Sequence, residues 1–181
     1  MSARVILTYE DYAALPDDGR RYELYEGELV MTPSPRPRHQ VVIGNLYMLM
    51  AEHIRPRGFG EVYLSPIDVI LSRITVVQPD LVYVERDRLG IVTERAIEGA
   101  PTLVVEVLSP STGARDRGIK QALYARYGVP YYWIVDPATR RVEAMRLSGG
   151  AYEAAGALDE TTSTALPPLT DLTLYPTAIW R

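Results

Sequence analysis

Apolar positions along the chain change period several times, and each change predicts an element. Residues 8 to 15, TYEDYAAL, predict a short helix with Thr8 as N-cap and Asp11 three residues on, close to a capping box. RRYELYEGELVMT alternates and predicts a hairpin turning at Glu26-Gly27. From Pro37 to about Arg55, Val42, Ile43, Leu46, Leu49, Met50 and Ile54 recur at spacings of three and four, the mark of an amphipathic helix that ends before Pro56 and Gly58. His39 falls on the inward side of its first turn.

Three β-rich segments follow, EVYLSPIDVILS, VVQPDLVYVE and TLVVEVLS, joined by loops short enough for a meander. The period then becomes helical in ARDRGIKQALYARYGV, with Ile119, Leu123 and Tyr127 on one stripe, Asp116 in the first turn, and Gly128 and Pro130 as a stop. YYWIVD is a strand again, and a strand, helix, strand passage of this length predicts that it lies parallel to residues 102–108. RRVEAMRLSGGAYEAA predicts a second hairpin around Ser148, Gly149 and Gly150, and LPPLTDLTLYPTAIW a closing apolar segment. The expected class is α+β, one domain over residues 1–181 with its core at about 37–136.

Composition narrows the chemistry. There is no cysteine, which removes disulfides, thiolate catalysis and cysteine zinc sites, and two histidines, His39 and His53, are too few for a His-rich centre. A metal here would take oxygen ligands, which suits Mg²⁺ or Mn²⁺. No stretch approaches a membrane span, and MSARVILTYEDYAALPDD does not resemble a signal peptide, so a soluble cytoplasmic protein is expected. The net charge of −4 argues against a wholly basic, indiscriminate nucleic-acid binder, but two local clusters remain. They are Arg36, Arg38 and His39, then Arg115, Arg117, Lys120 and Arg126, each also readable as a solvated face.

Glu106 stands inside the apolar run TLVVEVLS, on the strand face it shares with Val104 and Leu108. Asp80 begins its own strand after Pro79, so antiparallel neighbours would bring the two carboxylates together. At ~4–5 Å they would repel by roughly 3–4 kcal/mol at an effective dielectric of 20, a cost that a divalent cation reverses. Lys120, about two turns into the following helix, is the only lysine among nineteen basic side chains. Lysine is a compact charge with a tunable pKa, and arginine is neither compact nor tunable, so the exception points to a job that arginine does not do. Taken singly, Glu106 reads as an arginine's partner, Lys120 as a solvated charge and Asp80 as a turn residue.

The order Pro-Asp, Glu in an apolar strand, Lys in the next helix resembles the PD-(D/E)XK nuclease superfamily, in a variant whose lysine has moved from strand to helix. YELYEGELVMTPSPRPRHQ, QPDLVYV, APTLVVEVLSPST and DRGIKQALYARYGVPYYWIVDP, with the hydrophobic tail, are similar to the Uma-two-type family of restriction-endonuclease-like proteins over most of the chain. The resemblance implies an αβββαβ core with a mixed sheet flanked by helices. It also implies magnesium-dependent hydrolysis of DNA, with Asp80 and Glu106 as metal ligands and Lys120 as catalytic base or transition-state stabiliser. It draws in Glu28 as a further metal ligand and His39, with Arg38, Arg115 and Arg117, as side chains lining the site; Glu28 also reads as an exposed hairpin acid and His39 as a helix-end histidine. Two departures stand out: Tyr131 occupies the place of the family's acid before YW, and the 37–55 helix carries no acid except Glu52 near its far end. Cutting both strands of a duplex predicts a homodimer or a multiple of one. The rival readings are a non-catalytic DNA-binding or assembly protein on a nuclease fold, and a hydrolase of a small phosphate ester.

Overall fold

The computed structural model describes residues 5–110 and 112–181; residues 1–4 and 111 of the stretches above lie outside them. Helix α1 (Tyr9–Ala13) is closed by the expected capping box between Thr8 and Asp11. Strands β1 (Arg21–Tyr25) and β2 (Glu28–Thr32) form the predicted hairpin, with Glu26 and Gly27 both at positive φ, the backbone a tight two-residue turn requires. Helix α2 (Pro37–Arg57) runs through Pro56 and stops at Gly58 in the left-handed conformation, two residues later than the sequence suggests.

The first two β-rich segments each divide at a proline. EVYLSPIDVILS becomes β3 (Gly60–Leu64) and β4 (Val69–Ser72), and VVQPDLVYVE contributes β5 (Thr75–Val77) and β6 (Leu81–Glu85). Pro66 and Pro79 carry no N–H for a ladder, so the chain leaves the sheet at one and returns at the other. The crossing points are tied by Ser65 N–H donating to the Asp80 carbonyl, 3.0 Å. The meander is therefore present as β3, β6 and β8 (Leu103–Val107), with a β4–β5 hairpin inserted into a second sheet.

After the short β7 (Ile97–Glu98) and β8, helix α3 (residues 113–126) leads to β9 (Tyr131–Asp136), which pairs with β8 in parallel as expected. Strands β10 (Arg141–Ser148) and β11 (Ala151–Leu158) form the second hairpin. The tail folds as β12 (Thr164–Leu166), β13 (Leu169–Leu174) and α4 (Pro176–Ile179). The large sheet has the order β11-β10-β9-β8-β6-β3, the small one β2-β1-β5-β4-β7. In chain order α2, β3, β6, β8, α3 and β9 make the αβββαβ core.

Alternation along the strands of the large sheet feeds two cores. Leu103, Val105, Val107 and Trp133 face Val42, Ile43, Leu46, Met50 and Ile54 of α2 and the apolar tail. Each fully buried aliphatic side chain there contributes about 1.5–3 kcal/mol. Val104, Tyr132 and Ile134 point the other way, into Tyr25, Val69 and Val77 of the small sheet and Leu123 and Tyr124 of α3. Glu106 shares this second face, so it is covered by the small sheet and α3, which sequence alternation alone does not name.

Candidate active site

Three local features bring the polar side chains of the second face together. Asp80 sits just ahead of β6, where Leu81 pairs with Val105, and its Oδ2 accepts the Val107 N–H at 2.8 Å. Helix α3 contains a π-turn over Asp116–Lys120, a widened turn that recurs at functional positions. It rotates Asp116 and Lys120 inward and leaves Ile119 57% exposed, so Ile119 drops out of the expected Ile119–Leu123–Tyr127 stripe, while Leu123 stays buried and Tyr127 packs against the same core. The β1–β2 turn is anchored to the end of α3: Glu26 accepts from Tyr127 Oη and from Arg126, both at 2.6 Å. That clamp sets β1, and with it Glu23, against the π-turn.

Lys120 Nζ lies 2.7 Å from Glu106 Oε1 and 3.1 Å from Glu23 Oε1. All three side chains are almost fully buried. Each glutamate also has a phenol: Tyr124 Oη donates to Glu106 at 2.6 Å, and Tyr25 Oη to Glu23 at 2.5 Å. The Gln78 N–H adds a third bond to Glu23, 2.7 Å. His39 Nε2 stands 3.2 Å from Asp80 Oδ2. Burial pulls the imidazole pKa down, but the hydrogen bond and charge of Asp80 outweigh it and hold it above its ordinary value.

The ionisable groups of the cavity shift one another. Burial pushes the Glu106 carboxyl well up, Lys120 opposes, and Asp116, Asp80 and Glu23 push it further. Burial also raises Asp116, against Lys120 and a hydrogen bond from Thr112. Lys120 loses hydration as well, yet Glu106 and Glu23 hold its ammonium well above the ordinary lysine value. Four carboxylates thus face Lys120, His39 and two arginines, Arg21 and Arg115, around a cavity of about 50 Å³, room for a few waters. Arg115 lines the same cavity, and among the described residues its buried Nη1 has no hydrogen-bond partner. A desolvated guanidinium nitrogen is costly to leave unmatched, so it suits an anion entering the pocket.

Among the described residues no three His, Asp or Glu side chains are disposed as a complete metal cluster. Asp80 and Glu106 both line the cavity and supply two carboxylates, the number Mg²⁺ commonly takes from protein when waters and a phosphate fill the other positions.

Of the side chains singled out in the sequence, Asp80, Glu106, Lys120, His39 and Arg115 line this one cavity. Glu28 does not: it begins β2 on the exposed side of the hairpin, outside the lining, and the acid the hairpin contributes is Glu23. Arg117 points out of the cavity and pairs with Glu143 at 2.5 Å, because the π-turn directs its neighbour Asp116 inward. Arg38 lines an adjoining groove. Sequence reasoning missed Glu23, Gln78, Tyr25 and Tyr124, and took Asp116 only for a helix-start acid. The signal for Glu23 was present, since YELY places an acid in an apolar strand as TLVVEV does, but a hairpin reads as open to water until the second sheet covers it.

Solved structures and protein families give the comparison. A putative nuclease belonging to DUF820 from Anabaena variabilis superposes on the chain with a TM-score of 0.79 over 96% of this chain and 97% of that one, at 18% identity. That likeness establishes the shared fold. No curated protein matches the chain. The Uma2 family, described as "Putative restriction endonuclease", matches residues 9–177. The span takes in both sheets, α2, α3 and every residue of the cavity, and the chain belongs to that family.

Proposed function

We propose that the protein is a metal-dependent endonuclease that hydrolyses phosphodiester bonds of DNA at the Asp80, Glu106 and Lys120 cavity. The observation that carries this reading is the placement of Lys120 between two buried glutamates, beside Asp80 and the unmatched guanidinium of Arg115. A carboxylate-rich pocket with one compact ammonium and one anion-seeking arginine suits a cation and a phosphate together, and neither alone.

Hydrolysis requires a water oxygen to attack phosphorus while the bond to the leaving oxygen breaks and that oxygen gains a proton. In this reading Asp80 and Glu106 hold the Mg²⁺ or Mn²⁺, whose bound form supplies Lewis acidity toward the phosphate and a more acidic water. An ammonium has three N–H donors. Lys120 uses two on Glu106 and Glu23, so the third is directed at a water or at a phosphoryl oxygen gaining charge, the role of transition-state stabiliser. Glu23 positions the lysine. His39 orients Asp80, and Arg115 receives a non-bridging phosphate oxygen. Cleavage of both strands would engage two copies of the chain.

The test is plasmid DNA incubated with the protein in Mg²⁺ and in EDTA, alongside Glu106→Gln. Nicked or linear product only with metal, and only from the parent, is expected. Intact plasmid under all conditions would sink the nuclease reading and favour the binding or assembly role.

A further inference from the structure

Next to the catalytic cavity lies a wider groove of about 650 Å³, and the two share His39 and Ser109 as common wall. Three arginines from two parts of the chain line it. Arg36 precedes α2, Arg38 stands in its first turn, and Arg140 occupies the β9–β10 turn. All three are exposed. Among the described residues the Arg36 guanidinium has no partner, and Arg38 makes one long bond of 3.5 Å to the Pro137 carbonyl. Arg140 reaches Glu160 at 3.4 Å across open surface, a pairing worth little in water.

The groove holds a single carboxylate, Asp136, and it is occupied by the backbone N–H groups of Ala138 and Thr139. The start of α2 adds to the positive field, since its first turn contains no acid. A chain of net charge −4 has therefore concentrated three weakly engaged arginines along one groove that opens from its carboxylate-lined pocket.

We infer that this groove holds the sugar–phosphate backbone flanking the phosphate in the pocket, so that the protein engages a polynucleotide rather than a mononucleotide or a small phosphate ester. The inference rests on the phosphodiesterase reading and deepens it. The pocket's 50 Å³ admits part of one phosphate, so recognition of anything larger falls to the surface beside it, and that surface offers point charges spaced along a path. Arginines on phosphates position a strand without reading its sequence.

The experiment is fluorescence anisotropy in EDTA, where no cleavage occurs, with a labelled DNA oligonucleotide of about a dozen nucleotides, single-stranded and duplex. The parent is compared with a variant carrying Arg36→Gln, Arg38→Gln and Arg140→Gln, after thermal unfolding shows that the variant folds. Affinity is expected to fall about 10-fold or more, and the slope of log affinity against log salt to shrink by about two to three, as loss of three phosphate contacts dictates. Unchanged affinity and slope in the variant would overturn the inference. So would thymidine 3′,5′-bisphosphate displacing the oligonucleotide from the parent at concentrations near the oligonucleotide's own dissociation constant. A parent that binds DNA through these arginines but leaves plasmid intact in Mg²⁺ would end the nuclease reading and keep the groove. Cleaved plasmid, with binding untouched in the variant, would do the reverse.

Discussion

Lys120 and Glu106 form an ion pair, 2.7 Å from Nζ to Oε1, with both side chains almost fully buried. One comes from the π-turn of α3 and the other from the strand before it, and Glu23 of the small sheet closes on the same ammonium. Removing the ammonium leaves two carboxylates buried without their shared cation. Lys120→Met should therefore lower unfolding free energy by about 3–5 kcal/mol in urea titrations. Adding Glu23→Gln to that variant should recover part of the loss. A loss below ~1 kcal/mol for the single variant would mean that the pair does not support the fold.

Lys120→Arg tests chemistry apart from charge. The guanidinium is larger than the ammonium and the surrounding cavity is about 50 Å³, so a destabilisation of roughly 1–3 kcal/mol from overpacking is expected. Cleavage should drop by ~10²-fold or more, the scale on which a positioned proton-transfer or donor group acts. Cleavage at the parent's rate would remove Lys120 from the reaction while leaving its structural pairing intact.

Cation binding discriminates among the three acids expected from the hairpin and strands. Isothermal calorimetry should find Mg²⁺ bound at least ~10-fold more weakly by Asp80→Asn and by Glu106→Gln. Glu28→Gln should bind as the parent does, because that residue lies outside the cavity lining. An Asp80→Asn protein with full affinity would relocate the cation away from this site.

Stability should respond to acid through the clamp between hairpin and α3. The hydrogen bond from Tyr127 comes first, with help from Thr75 and Arg126 against burial, and holds the Glu26 carboxyl below its ordinary value of 4.5. A depressed carboxyl stabilises the folded state fully above its unfolded pKa, and that stabilisation disappears as pH falls through the folded one. Glu26→Gln should cost roughly 1.5–3 kcal/mol at neutral pH, as charged hydrogen bonds typically contribute. The gap between parent and variant should hold down to about pH 4.5 and narrow below it. A gap independent of pH between 3 and 6 would show that Glu26 acts there without its charge.

Much of the architecture was legible because it is written in local periodicity. The spacing of Val42, Ile43, Leu46, Met50 and Ile54 yields α2, alternation yields β8 and β9, and Glu26-Gly27 yields the first hairpin. The acid in TLVVEV and the solitary lysine were visible as exceptions to their surroundings, and both line one cavity with Asp80.

What sequence alone did not determine depends on contacts between segments far apart in the chain. Whether a hairpin acid is wet or buried depends on what covers it, and Glu23 rather than Glu28 is enclosed because the small sheet packs Tyr25 and Val77 against the large one. Which helical face turns inward depends on a single inserted residue per turn, and the π-turn exchanges Ile119 for Lys120 at no visible change in composition. Periodicity fixes which residues share a face; only packing fixes what that face meets. The donors and acceptors around Lys120 therefore belong to the tertiary structure, while the lysine itself, one among nineteen basic side chains, was marked in the sequence.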